Sequence, residues 1–220
     1  MRPRTRRWVR GLGVAAIAVA YAILVHQSNS SPGGGALGVV LAVGPLLAVA
    51  VALAWRSGYR LAALGVGALA SLAVLRYWPL LAEHVAWLYL LQQAGGYGLA
   101  GFAFGRSLAA GRTPLCTHWA TLVHGPLAPV VLRYTRSVTA AWTGFFALMT
   151  AALIVLFVLA PLAVWSAFAF FCTFPLVVAM FVGEYLVRSR VLPDMEHESI
   201  LAGIRAIIGR APVAAAARRG

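Results

Sequence analysis

Six long apolar runs limit what this chain can fold into. They cover residues 9–25, 37–55, 61–78, 83–104, 138–159 and 165–185, the first and third being the shortest. Polar or Pro/Gly breaks separate them, among them HQSNSSPGGG after the first and RSGYR after the second. Runs of about 20 residues match the hydrocarbon thickness of a bilayer. In lipid, each backbone N–H and C=O has to be paired inside the segment or around a closed barrel, and Leu, Ala, Val and Phe in unbroken runs favour the helix. Composition agrees, because 62% hydrophobic and 10% charged residues lie outside the range of an ordinary soluble domain. The expected fold class is all-α: a polytopic integral membrane protein of about six transmembrane helices.

Charge placement orients the spans. All eighteen basic residues are arginine, and basic residues are retained on the cytoplasmic side of a bacterial inner membrane. Arg2, Arg4, Arg6, Arg7 and Arg10 precede the first span, and Arg56 and Arg60 fall between the second and third. Arg106, Arg112, Arg133 and Arg136 lie between the fourth and fifth, and Arg188, Arg190, Arg205, Arg210, Arg218 and Arg219 come after the sixth. Only Arg76 falls on the opposite side. The expectation is a multi-pass inner-membrane protein with both termini cytoplasmic and most of its +13 net charge on one face. Anionic lipid headgroups are the expected partner of that face. Nucleic acid is excluded, since no recognisable binding module accompanies the arginines.

The N-terminal run also has the basic-then-apolar order of a secretory signal. The rest of the chain is too apolar to be a soluble exported cargo, so the run reads as an uncleaved anchor. The organisation expected is a four-helix transmembrane half (1–104), a cytoplasmic interfacial segment (105–137), two transmembrane helices (138–185) and a basic tail with an amphipathic helix (186–220). Trp55, Tyr59, Tyr77, Trp78, Trp142, Trp165 and Tyr185 cluster at span ends, as an interfacial aromatic belt would.

The stretch GRTPLCTHWATLVHGPLAPVVLRYTRSVTAAW, residues 111–142, takes in most of the interfacial segment and the start of the fifth span, and it is the least lipid-like part of the middle of the chain. Thr113 and Pro114 read as an N-cap and first helical position. The short helix after them has Leu115, Trp119, Leu122 and Val123 on one face, the pattern of a helix lying on a membrane. HGPLAP ends it, and Pro129 starts a second helix that carries Arg133 and Arg136 into the fifth span. At i and i+3 these arginines share a face, where with Arg112 nearby they could hold a phosphate, a carboxylate or an acidic partner; equally, they fix topology.

His118 and His124 are candidates for acid–base work, but they lack the i, i+4 spacing of helical metal ligands, and neither metal nor cofactor is expected. Asp194, Glu196 and His197, with Glu198, form the densest acidic cluster and read as the opening turn of the tail helix. Glu184, at the edge of the sixth span, has Arg188 one turn on and reads as a helix-end ion pair. Glu83 and His84 stand at the outer end of the fourth span, and Gly101-x-x-x-Gly105 within it permits close helix packing. Cys116 and Cys172 are too differently placed to pair, and Cys116 reads as a small hydrophobe. Nucleophile elbow, P-loop and His-Glu-x-x-His motifs are all missing, so the sequence carries no established catalytic motif.

HGPLAPVVLRYTRSVTAAWTGFFA, FVGEYLVRSRVLPD and SILAGIRAIIG together resemble a family of small inner-membrane proteins encoded beside type II fatty-acid-like enzymes in aryl polyene, or xanthomonadin-type, pigment clusters. The resemblance covers residues 111–209. It places His124, Gly125, Pro126, Arg133, Tyr134, Thr135, Arg136, Trp142, Gly183, Glu184 and Tyr185 in the characteristic blocks, without a catalytic role. It implies an accessory or scaffold protein for acyl-carrier-protein-dependent lipid or pigment biosynthesis, with acyl carrier proteins or condensing enzymes as partners. Two other functions fit the residues. One is an enzyme in which His118 and His124 act with Arg133 and Arg136 on an acyl or phosphate ester at the cytoplasmic face. The other is a carrier or flippase for the hydrophobic product that uses Glu83, His84 or Glu184 along a path. A ketosynthase is excluded, because a condensing enzyme needs a soluble α/β fold.

Overall fold

The computed structural model describes residues 3–30, 35–56 and 60–192, and these form helices with no strand among them. In chain order the helices are α1 (Pro3–Ser30), α2 (Gly35–Arg56), α3 (Arg60–Arg76), α4 (Trp78–Glu83), α5 (Val85–Ser107), α6 (Leu115–His124), α7 (Pro129–Leu159) and α8 (Leu162–Ala167). A π turn (Phe168–Cys172) then leads into α9 (Thr173–Val191). Among the described residues, three stretches are long and apolar enough to cross a membrane: Gly35–Leu53, Pro129–Leu159 and Leu162–Val191. Large side chains along them face outward, including Leu53, Leu148, Leu159 and Phe174. Inside a soluble fold such exposure would oppose folding; against lipid it has no such cost.

Several boundaries differ from those expected. Pro79 ends the third run early, because proline cannot continue a helix, and α4 starts around it with Pro79 in its first turn. The expected fourth span then breaks at His84, and α5 begins at Val85. Residues 129–137 are the opening turns of α7, continuous with the expected fifth span.

The described residues form two compact units. The first comprises residues up to Gly98 together with Ala147–Val177. Its core is Val25, Val39, Ala42, Tyr89, Leu153, Trp165 and Ala169. Helix irregularities within it are repaired by side chains. Pro45 lies inside α2 and has no N–H for the Leu41 carbonyl; the Tyr21 hydroxyl donates to that carbonyl at 2.9 Å. At the π turn, the Thr173 N–H reaches back to the Phe168 carbonyl. This releases the Ala169 carbonyl, which accepts from Thr173 Oγ1 at 2.8 Å and Gln93 Nε2 at 3.2 Å. Ser166, fully buried, shares a hydrogen bond with His26 Nδ1 at 3.0 Å. Such hydrogen bonds join helices by a means that does not depend on the hydrophobic effect.

The second unit comprises Leu99–Phe146 and the described residues from Val178 on. Trp142 is buried at its centre, 4.6 Å from Phe181 and 5.3 Å from Phe146 between ring centroids. Trp165 in the first unit is likewise buried, edge-on to Phe157 at 5.2 Å. Both were expected at the membrane interface and are core residues instead. Position along a helix sets depth, whereas the facing helices decide which way a ring points. Trp55 and Tyr77 are exposed; Tyr59 lies outside the described residues.

Candidate functional site

The candidate site lies in the second unit, around the start of α6. A tight turn precedes that helix, and Gly111 at φ +76° takes the left-handed conformation that side chains resist. Pro114, in extended conformation, is the N-cap, and Thr113 makes no capping bond. This corrects the expected Thr113 cap. The first N–H groups of α6 are satisfied from elsewhere: the Leu115 N–H donates to Ser107 Oγ at 3.0 Å and the Cys116 N–H to Thr139 Oγ1 at 3.2 Å. Sequence-local rules could not locate these caps, which come from α5 and α7. Gly125, also at φ +76°, ends α6 by donating its N–H to the Thr121 carbonyl.

A threonine ladder joins α6 to α7. Thr135, Thr139 and Thr143 recur every four residues and so share a face of α7. Thr139 Oγ1 donates to the Thr135 carbonyl and Thr143 Oγ1 to that of Thr139, both at 2.8 Å. Thr135 Oγ1 donates to the Leu132 carbonyl, which leaves Thr117 as the donor in the 2.7 Å contact between the Thr117 and Thr135 hydroxyls. Gly105 of α5 lets Thr143 approach, since a Cβ there would stand 3.2 Å from Thr143 Cγ2. The T-x-x-x-T-x-x-x-T spacing was the signal in the sequence that marked this face, and the reading of the sequence missed it.

An open cavity of about 370 Å³ sits beside the ladder, lined by Arg112, Thr113, Pro114, Thr117, Leu132, Arg133 and Arg136. Arg112 comes from the turn, and Arg133 and Arg136 from the opening turns of α7. All three arginines are exposed. Arg136 Nη2 donates to the Leu108 carbonyl at 3.1 Å, where a cation also meets the negative end of α5. Among the described residues none of the three has a carboxylate within ion-pair distance.

Glu184 lies elsewhere in the unit. Its carboxylate accepts a hydrogen bond from the Tyr134 hydroxyl at 3.2 Å and stands 3.8 Å from Arg188 Nε. Tyr134 reaches the Glu184 carbonyl as well, at 3.2 Å, and thereby ties α7 to α9. The sequence pattern anticipated the Arg188 partner and not the tyrosine. Burial pushes the Cys116 thiol above its ordinary range, outweighing the lowering effect of the Thr139 hydroxyl, and the Glu184 charge adds to the rise. A thiol held neutral in this way is a poor nucleophile.

His118 and His124 are exposed on α6, outside the cavity lining, and six residues of helix turn them to different faces. Glu83, the last residue of α4, and His84, between α4 and α5, are exposed. Asp194, Glu196 and His197 lie outside the described residues, and no three potential metal-binding side chains come together among those described. In comparisons with protein-family models, curated proteins and solved structures, the chain matches none.

Proposed function

We propose that this chain is a six-span, inner-membrane accessory protein, with both termini cytoplasmic, that brings soluble acyl-carrier-dependent biosynthesis of a lipid or polyene pigment to the membrane. The observation that carries the reading is the convergence of Arg112, Arg133 and Arg136 on one open cavity, without a carboxylate partner among the described residues. Cations left unpaired at a concave surface attract an acidic protein and steer its approach. The resemblance of residues 111–209 to membrane proteins encoded beside fatty-acid-like enzymes supports an acyl carrier protein or a condensing enzyme as that partner. His118 and His124 stand outside the cavity, so an esterase reading has less to rest on.

The test is charge reversal. Arg133→Glu with Arg136→Glu should abolish membrane recruitment of the acidic carrier while the protein still inserts, with the wild-type interaction weakening as salt rises. Recruitment unchanged at low salt overturns the reading.

A further inference from the structure

Three arginines line one small open cavity, and among the described residues no carboxylate stands within ion-pair distance of them. An anion placed among them is attracted by all three. Guanidinium groups suit phosphate in particular, because their planar N–H pairs match two of its oxygens at once. Thr113 and Thr117 also line the cavity, although the Thr117 hydroxyl is committed to Thr135. Arg136 is held in place by Leu108, so part of the site is ordered before any ligand arrives.

The depth of the site in the membrane argues for the source of the phosphate. Helix α7 has 31 residues, about 46 Å at the α-helical rise, against a hydrocarbon core of about 30 Å. Roughly ten residues are therefore surplus to a crossing. The sequence after Arg136 carries no charge as far as Leu159, so the surplus belongs to the N-terminal end. Arg133 and Arg136 then stand at headgroup level. The surroundings match that depth: Trp119 and Leu122 of α6 and Val130 of α7 are exposed apolar side chains, while Thr117 of α6 faces inward. Leu132 gives the cavity itself an apolar wall. A ligand that brings a phosphate together with an apolar body fits this setting better than a free ion.

We infer that the cavity formed by Arg112, Arg133 and Arg136 is a binding site for the phosphodiester headgroup of an anionic phospholipid. The inference goes beyond the docking reading and is compatible with it. One headgroup neutralises about one charge, and the arginine-rich face retains most of its positive potential for an acidic partner.

The test uses the full-length protein purified in mild detergent, with no protein partner present. It is mixed with equal amounts of phosphatidylglycerol and phosphatidylcholine of identical acyl chains and analysed by native mass spectrometry. Wild type should retain phosphatidylglycerol in strong preference. Arg112→Gln/Arg133→Gln/Arg136→Gln should lower that preference by roughly a hundredfold, the product expected of three surface arginines. Arg190→Gln, outside the cavity, should leave it intact, and unchanged thermal unfolding of the triple variant shows that it folds. Equal retention of the two lipids by wild type overturns the inference, as does a triple variant that keeps the preference. Sodium phosphate that displaces the lipid completely at millimolar concentration overturns the lipid as the source and leaves a free-anion site. Partner recruitment plays no part in this measurement, so its failure and the failure of the docking reading are separate results.

Discussion

The hydroxyl oxygens of Thr117 and Thr135 lie 2.7 Å apart, buried between α6 and α7. This pair holds α6 against α7 at the edge of the arginine cavity. Removing Thr135 strands the Thr117 hydroxyl, and an unpaired buried hydroxyl costs about 1–3 kcal/mol, whereas Thr135 keeps its bond to the Leu132 carbonyl when Thr117 is removed.

Thr135→Val should therefore lower the thermal unfolding midpoint of the purified protein. Thr117→Val should lower it by less, because the Thr135 hydroxyl still donates to the Leu132 carbonyl. The double variant should lose less than the sum of the two, because no hydroxyl is then left unpaired. Additive losses in a double-mutant cycle would mean that the two residues act separately.

A second coupling lies between Tyr21 and Pro45, which never touch in sequence-local terms. Tyr21→Phe removes the hydroxyl that donates to the Leu41 carbonyl left open by Pro45, at an expected cost of about 1 kcal/mol. Pro45→Ala restores a helical N–H to that carbonyl. In the Pro45→Ala background, Tyr21→Phe should cost less than half as much. An equal cost in both backgrounds refutes the compensation.

Glycines divide by their surroundings. A Cβ on Gly38 would come 2.7 Å from Ser28 Oγ and 2.8 Å from Val85 Cγ2. Gly38→Ala should destabilise by about 1–3 kcal/mol through overpacking. A Cβ on Gly144, within α7, would meet nothing within 4 Å. Gly144→Ala should stabilise by about 0.5–1 kcal/mol through helix propensity. Thermal unfolding of the two variants should shift in opposite directions.

Cys116 supplies the pH test. Its folded-state thiol titrates above the ordinary value of 9.0, so the unfolded chain loses this proton first as pH rises. The stabilisation is present below the ordinary value and is lost as pH climbs through the raised one. In a Cys172→Ser background, Cys116 should react with iodoacetamide more slowly at pH 8 than a free thiol does, and the lag should narrow at higher pH. A reaction as fast as the free thiol's at pH 8 would contradict the burial-raised pKa.

The start of α6 illustrates how far local sequence reaches. The C-terminal break of this helix at HGP and the fresh start at Pro129 are local events, and both were legible because glycine and proline act on their own backbone. Its N-terminal caps were not legible, because Ser107 and Thr139 reach it from other helices. The arginines were marked as candidates by their spacing. Their grouping with Arg112 around one cavity depends on the turn at Gly111 bringing the loop back beside α7.

Trp142 and Tyr134 illustrate the same division. Hydropathy and proline positions determined that this chain is helical, with apolar stretches long enough to cross a bilayer, because those properties are carried by each segment independently. Which faces meet was decided by tertiary structure: Trp142 turns inward to Phe181, and Tyr134 finds Glu184 fifty residues away. In lipid, apolar surface alone does not select one helix face over another. Small residues, threonine ladders and single hydrogen bonds make that selection, and they act only once the helices are side by side.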